Sequence, residues 1–277
     1  MISFGERLRA AVADYGRLCV GIDPHAALLA SWGLSDDARG VEKFADAVLV
    51  SAAGRVAAVK PQLAFFERHG AAGYAALERV IRRAREAGIL LIADAKRGDI
   101  GSTIDGYAEA WLEPSSPLAS DAMTVSAYQG VGSLAPAIER AERVGAGLFV
   151  LAATSNPESA SVQHARGDDG RTVASIVADE VAALGAGARV AGTWSSVGLV
   201  IGATTPLADA GLEPERLGAV PVLAPGFGHQ GGRLAELDAL YGPLAERTLA
   251  SVSRSVLAAG PDGIQHAIDT HRAELRP

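Results

Sequence analysis

The strongest constraint on this fold is an alternation of short apolar runs with Ala-rich helical stretches. Eight runs have the length and composition of strands, at residues 18–23, 56–60, 89–95, 122–127, 147–155, 198–204, 220–226 and 248–253. Helical patterns occur between them, at 41–53, 73–87, 130–143, 172–184, 232–239 and 262–274. Apolar strands separated by helices indicate parallel strands that are covered on both faces. With an opening helix near 3–14, the pattern predicts an α/β protein with one (β/α)8 TIM barrel domain over residues 1–277, rather than an open doubly wound sheet.

Composition allows a large core and excludes several classes of partner. Hydrophobic residues make up 49% of the 277 residues, which lies outside the composition of disordered chains. The formal net charge of −7 shows no overall excess of basic residues of the kind that binds nucleic acid. No apolar run approaches the roughly 18 residues that span a bilayer. The only cysteine is Cys19, so an intramolecular disulfide and a thiolate zinc site are excluded. We therefore predict a cytoplasmic protein that binds neither nucleic acid nor membranes.

Charged residues follow the predicted third strand, in the stretch "LLIADAKRGDIGST". The active site of a (β/α)8 barrel lies at the C-terminal ends of its strands. Asp94 and Lys96 are two positions apart, so both side chains face the same side of an extended segment. Other predicted strand ends also carry polar residues, namely Asp23, Lys60, Ser126, Asn156 and Arg254. A solvated loop remains the alternative for any one of these ends, but their convergence favours a catalytic charge array.

The residue types in this array limit its chemistry. Carboxylate-rich metal sites rarely place lysines directly among the ligands. A Schiff-base lysine usually needs an apolar or cationic neighbourhood, whereas Lys96 is flanked by Asp94 and Asp99. Acidic neighbours favour a charged ammonium. The array therefore favours proton donation to carbon, without identifying the substrate.

A glycine-rich stretch, "LAPGFGHQGG" at 223–232, follows the predicted seventh strand. Its backbone N–H groups can approach an anion closely, and a helix beginning near 232 would add its dipole. Because barrel enzymes often bind phosphate in the loops after strands seven and eight, Arg254 is placed to complete such a site. Whether His229 touches a ligand stays open, and so does the role of a polar excursion over 158–171.

The array and its flanking blocks resemble the orotidine 5'-phosphate decarboxylase family. "ADAKRGDIGST" looks like the signature of that family, with Asp94, Lys96 and Asp99 in a D-x-K-x-x-D pattern. "CVGIDPH", "VKPQLAFFE", "MTVSAYQG", "TSNPES", "PGFGHQGG" and "SVSRSVL" occur in the order expected of its longer bacterial branch, from about residue 15 to 260. The resemblance implies a homodimeric (β/α)8 barrel. It would convert orotidine 5'-monophosphate to uridine 5'-monophosphate and CO₂ in de novo pyrimidine biosynthesis, without metal or cofactor.

The resemblance also implies roles for the charged residues. Lys60, Asp94, Lys96 and Asp99 match the charged network of the family. Lys96 would deliver the proton to pyrimidine C6, and Asp94 would lie against the substrate carboxylate. Asp99 would enter the active site of the partner subunit. Asp23 and Lys60 match positions that contact the ribose hydroxyls.

Five further positions match substrate contacts of the family. Thr103 resembles a ribose contact made across the dimer interface, and Ser126 a pyrimidine contact. Gln230 and Arg254 match the phosphate grip, with backbone help near Gly231. Asn156 is left unassigned, because the excursion after it blurs the correspondence.

Three alternatives remain open at the level of sequence. One is a Mg²⁺-dependent sugar-phosphate decarboxylase of the 3-keto-gulonate 6-phosphate type, which shares the D-x-K-x-x-D block but needs another acidic ligand. A second is a Schiff-base aldolase. A third is a catalytically silent nucleotide-binding barrel. Activity in EDTA, borohydride trapping and the turnover of Lys96→Ala distinguish them.

Overall fold

Eight parallel strands close into a barrel in their chain order in the computed structural model, which describes residues 2–275. The strands are β1 (Leu18–Ile22), β2 (Ala58–Pro61), β3 (Leu90–Arg97), β4 (Ala122–Ser126), β5 (Gly147–Ala153), β6 (Val197–Ile201), β7 (Val222–Pro225) and β8 (Thr248–Val252). β8 closes the ring on β1, with Ser251 paired to Cys19. Each predicted apolar run overlaps one strand, so the predicted (β/α)8 barrel is confirmed.

Helices surround this barrel. The α-helices within residues 2–275 are α1 (Phe4–Tyr15), α2 (Ala26–Ser31), α3 (Ala38–Ala52), α4 (Ala64–Glu67), α5 (Gly70–Glu86), α6 (Gly101–Leu112), α7 (Ala135–Val144), α8 (Ala160–Gln163), α9 (Val173–Leu184), α10 (Ala186–Val190), α11 (Leu237–Tyr241), α12 (Arg254–Leu257) and α13 (Gly260–Glu274). Short 3₁₀ turns lie at Val131–Leu134, Pro157–Ser159, Pro214–Leu217, Leu234–Glu236 and Gly242–Arg247.

One predicted helix differs from the structure. Over 232–239, where the sequence predicts a continuous helix, the chain forms a 3₁₀ turn and then the five-residue α11. Gly232 is instead held in a β-bridge with Phe227, and its N–H donates to the Gly226 carbonyl at 3.0 Å. Gly242 followed by Pro243 ends the segment. The helix dipole expected beside the glycine-rich loop is therefore reduced to that of a short turn.

Helix α1 closes the N-terminal end of the barrel. Its start is fixed by a capping box, in which the Ser3 hydroxyl accepts from the Glu6 N–H and the Glu6 carboxylate accepts from the Ser3 N–H. Phe4 packs edge-on against Phe149, with ring centroids 5.9 Å apart. A Cβ on Gly147 would lie 2.1 Å from the Phe4 ring, so glycine is required there.

The core forms two layers, one between strands and helices and one inside the barrel. Ile92, Phe149 and Leu249 belong to the inner layer and are fully buried. Cys19 lies among them as a fully buried free thiol, and burial raises the pKa of this thiol to about 12. Apolar side chains therefore fill the interior of the barrel, and polar side chains replace them at the C-terminal ends of the strands.

Candidate active site

The C-terminal ends of the strands open into a cavity of about 870 Å³. It is lined by residues from β2 and β3 and from the segments after β1, β7 and β8. Six of the predicted site residues line it, namely Asp23, Lys60, Asp94, Lys96, Gln230 and Arg254. Residues far apart in sequence therefore meet where the barrel architecture predicts an active site.

The floor of the cavity is built around the carboxylate of Asp94. Lys60 Nζ donates to its Oδ2 at 2.7 Å, and Lys96 Nζ donates to its Oδ1 at 2.5 Å. Gln62 Nε2 adds a bond to Oδ2 at 3.1 Å, and Thr124 Oγ1 adds one to Oδ1 at 2.9 Å. Since a carboxylate offers about four acceptor sites, four donors fix its position.

Opposite charges keep this buried group ionised. Burial is the largest influence on Asp94 and acts against its charge, but Lys60 and Lys96 outweigh it and hold the pKa of the carboxyl well below its usual range. Burial likewise opposes the charge of Lys60, whereas attraction to Asp94 and Asp23 raises its pKa above the usual range. Asp94 and Lys60 are therefore both charged near neutral pH.

Lys96 is the accessible member of the three. Its side chain is 47% exposed, compared with 8% for Lys60 and for Asp94. Its backbone has a positive φ of 46°, a conformation that L-residues adopt at a cost. Asp94 thus holds the Lys96 ammonium at the cavity, where a ligand can reach it.

The rim of the cavity includes the glycine-rich loop after β7. Gly226 has a φ of 109°, which bends the chain toward His229 and Gln230, both exposed and lining the cavity. Arg254 Nη1 lies 2.7 Å from His229 Nε2. Because a guanidinium only donates, His229 Nε2 is the acceptor in this contact.

The excursion over 158–171 contributes to the cavity wall. It contains α8 and a tight turn over the Gly-Asp-Asp-Gly sequence, in which the Gly170 N–H donates to the Gly167 carbonyl at 2.9 Å. Gln163 lines the cavity, and its Oε1 accepts from the Thr154 N–H at 2.8 Å. Asn156 also lines the cavity, beside this contact.

Four predicted site residues lie outside the cavity lining, namely Asp99, Thr103, Ser126 and Gly231. A Cβ on Gly98 would lie 2.4 Å from the Ser126 carbonyl oxygen, so the chain after Lys96 passes closely over the end of β4. This path carries Asp99 away from Asp94, and Thr103 is exposed on α6. The three charges of the D-x-K-x-x-D block are thus divided, with two in the cavity and one outside it.

Several polar residues of the cavity were not predicted from the sequence. They are Gln62, Thr124, Thr154, Ser155, Gln163, Ser251 and Ser253. Gln62 directly follows β2, so its place at a strand end is a usable signal. Thr124 and Ser251 lie inside strands, where their residue types fit ordinary strand composition and give no signal.

Within residues 2–275, no group of three or more His, Cys, Asp or Glu side chains is arranged to hold a metal ion. None of the helices in the same range combines the length and apolar character that crossing a bilayer requires.

The family is decided by comparison with known sequences. Residues 16–267 match the family model described as "Orotidine 5'-phosphate decarboxylase / HUMPS family". The chain belongs to this family. The resemblance of its motifs to the decarboxylases is thereby confirmed.

Relatives in this family cover the chain almost completely. It is 55% identical to the orotidine 5'-phosphate decarboxylase of Salinispora arenicola, over 100% of this chain and 98% of that protein. It is 49% identical to that of Corynebacterium glutamicum, over 94% and 92%. Both relatives are named orotidine 5'-phosphate decarboxylase, which is a carbon–carbon lyase, whereas the family description joins this name with a second one.

Solved structures of the family have the same barrel. A crystal structure from Streptomyces avermitilis, assigned as an orotidine 5'-phosphate decarboxylase, is 49% identical and covers 100% of this chain and 95% of its own, with a TM-score of 0.94. The OMP decarboxylase of Leishmania donovani is 33% identical over 99% and 98%, with a TM-score of 0.77.

Proposed function

We propose that this chain decarboxylates orotidine 5'-monophosphate to uridine 5'-monophosphate and CO₂, in de novo pyrimidine biosynthesis and without a metal or cofactor. The observation that carries the proposal is the buried Asp94 carboxylate, which holds the accessible Lys96 ammonium at 2.5 Å. The names of the relatives at 49–55% identity support the same reaction.

In the proposed reaction, the bond between pyrimidine C6 and the carboxylate breaks, and CO₂ leaves while the electron pair stays on C6. The Lys96 ammonium stabilises this charge as it develops and then transfers a proton to C6. Lys96 is already ordered by Asp94, so little reorganisation is needed during the reaction. Solvent then returns a proton to the Lys96 amine, which its 47% exposure permits.

Asp94 has two proposed effects. Its charge orients Lys96, and its position at the floor brings it close to the substrate carboxylate. Repulsion between two carboxylates would be relieved when CO₂ leaves. The four donors around Asp94 keep it ionised while the substrate binds, since they favour its charged form.

Asp23 and Lys60 are proposed to contact the ribose hydroxyls. Asp23 lines the cavity, and its buried Oδ1 accepts no hydrogen bond from the rest of residues 2–275. A buried acceptor without a donor is costly. A ribose hydroxyl would supply that donor.

The phosphate is proposed to bind at the rim, between Gln230, Arg254 and the backbone near Gly231. Arg254 supplies charge-assisted hydrogen bonds, and its contact with His229 holds the guanidinium at the cavity. Binding energy from this remote group would support the step at C6. For the pyrimidine, Ser126 stays a prediction, and Ser155 is a further candidate because it lines the cavity.

We also propose that the protein is a cytoplasmic homodimer of one barrel domain per chain, in which Asp99 and Thr103 serve the site of the partner subunit. Asp99 lies outside the cavity of its own barrel. Ile100, the next residue in the chain, is 61% exposed, and Tyr128, after β4, is 85% exposed; such apolar side chains favour burial in an interface.

The test is turnover of orotidine 5'-monophosphate, followed by loss of the orotate chromophore in the ultraviolet and by release of CO₂. Purified, EDTA-treated protein should turn over the substrate without added metal. Activity that requires Mg²⁺ would favour the sugar-phosphate decarboxylase alternative. Covalent trapping by borohydride with substrate would favour a Schiff-base lysine. Nucleotide binding without turnover would indicate a silent barrel.

A further inference from the structure

The pairing of β3 with β4 is interrupted at the candidate active site. Ala93 of β3 pairs with Met123 of β4, and the next paired residue, Arg97, lies opposite Val125. On β4, only Thr124 lies between Met123 and Val125. The three residues 94–96 of β3 therefore stand opposite this single residue. Such a bulge leaves backbone groups without ladder partners and redirects side chains.

The hydroxyl of Thr124 replaces the missing ladder contact. The Lys96 N–H donates to Thr124 Oγ1 at 2.9 Å, and Oγ1 donates to Asp94 Oδ1 at 2.9 Å. The Lys96 N–H can only donate, so Thr124 Oγ1 accepts in the first bond. The single proton of the hydroxyl is then free for the second bond, which Oγ1 donates to Asp94. Thr124 is 2% exposed, so water has little access to compete for either bond.

Both bonds converge on the same ion pair. Asp94 Oδ1 accepts from Thr124 Oγ1 and from Lys96 Nζ, while Oγ1 accepts from the backbone of Lys96. Thr124 thereby ties the carboxylate to the backbone of the residue whose ammonium it binds. The positive φ of Lys96, 46°, needs such support from its surroundings.

We propose that Thr124 is a positioning residue for the decarboxylation, acting through Asp94 and Lys96. The inference rests on the proposed function for its kinetic consequence, whereas the hydrogen bonds themselves can be tested without turnover. Its hydroxyl keeps the Lys96 ammonium in the position and orientation that proton transfer to C6 requires.

The kinetic test compares Thr124→Val with Thr124→Ser. Valine keeps the shape and strand preference of threonine but lacks the hydroxyl, whereas serine keeps the hydroxyl. Thr124→Val should lower kcat by about 10- to 100-fold, with KM and binding of uridine 5'-monophosphate changed by less than about 3-fold. Thr124→Ser should stay within about 5-fold of the unaltered protein in kcat.

A matched control separates positioning from general loss of a buried hydroxyl. Thr248 is also buried in a strand, where its Oγ1 donates to the Leu244 carbonyl at 2.9 Å, and it does not line the cavity. Thr248→Val should lower the melting temperature about as much as Thr124→Val while leaving kcat unchanged. An equal fall in kcat for both valine variants would overturn the inference.

An exchange measurement tests the hydrogen bond directly. The chain has three lysines, Lys43, Lys60 and Lys96, so selective ¹⁵N-lysine labelling gives three backbone amide signals. The Lys96 amide should exchange about 10-fold or more faster in Thr124→Val than in the unaltered protein. It should stay protected in Thr124→Ser, and the other two amides should not change.

The outcomes separate this inference from the proposed function. If the unaltered protein does not decarboxylate orotidine 5'-monophosphate, the proposed function fails, and the Lys96 exchange still decides whether Thr124 holds that backbone. If the unaltered protein is active, full kcat in Thr124→Val overturns the inference alone. A rise in KM at constant kcat, or a serine variant as slow as the valine one, would also overturn it.

Discussion

Lys60 and Lys96 bind opposite oxygens of one buried carboxylate, that of Asp94. They come from neighbouring strands, yet Lys60 is enclosed and Lys96 is accessible. The carboxylate therefore has two partners with different tasks. Lys60 keeps it charged in a buried setting, and Lys96 is the group that it presents to a ligand.

Asp94→Asn should destabilise the fold at neutral pH. The substitution leaves the buried Lys60 ammonium without its counter-charge, and breaking a buried pair costs about 3 kcal/mol. The free energy of unfolding should fall by about this amount, measured by chemical denaturation at pH 7 and fixed protein concentration. Glu86→Gln, which weakens an exposed ion pair with Arg82, is the control and should have little effect.

The same variant should alter the dependence of stability on pH. The folded pKa of Asp94 is depressed, so its stabilisation is present above the unfolded pKa of about 4 and is lost as the pH falls toward the folded value. The difference in unfolding free energy between the unaltered protein and Asp94→Asn should therefore shrink below about pH 4. A difference that stays constant from pH 7 to the acid limit would show that Asp94 is not held ionised by its partners.

Arg254→Ala should weaken the binding of phosphorylated ligands selectively. Loss of charge-assisted hydrogen bonds should raise the Kd of uridine 5'-monophosphate by about 10- to 100-fold, with uridine changed far less. Isothermal titration with both ligands measures this difference. Arg233→Ala is the control, since Arg233 is exposed near the same loop but does not line the cavity. Equal weakening of nucleotide and nucleoside would mean that Arg254 does not grip the phosphate.

Mixing two inactive variants tests whether sites are shared between subunits. Asp99→Ala and Lys96→Ala should each be inactive alone. After subunit exchange, half of the dimers contain one intact site, so about a quarter of the native activity should return. Subunit exchange can be followed by native mass spectrometry with one variant isotopically labelled. Confirmed exchange without recovered activity would place Asp99 in the site of its own chain.

Much of the fold was predictable because burial on both faces leaves a clear signal. The β3 run is apolar up to Ala93 and then turns charged at Asp94, which marks a strand approaching its C-terminal end at Arg97. The helix expected over 232–239 shows the limit of this signal. There the apolar pattern suits a helix, but Gly232 forms a β-bridge with Phe227, and Gly242 and Pro243 end the segment.

The candidate site was predictable where charge interrupts an apolar run, as at Lys60 and Lys96. Thr124 was not, because a threonine within a strand is ordinary, and its importance arises only from contact with Asp94 and the Lys96 backbone. Ser126 and Ser155 illustrate the same limit. Both stand at strand ends in the sequence, and only the three-dimensional arrangement shows that Ser155 lines the cavity.

The role of Lys96 is tested most directly by the kcat of Lys96→Ala for orotidine 5'-monophosphate, measured beside Lys43→Ala. Lys43 is an exposed lysine on α3, remote from the cavity lining. Loss of both the proton donor and the charge at C6 should lower kcat by about 10⁴-fold or more in Lys96→Ala, with uridine 5'-monophosphate still bound and Lys43→Ala fully active. A Lys96→Ala protein that keeps the native kcat would contradict the central role of Lys96.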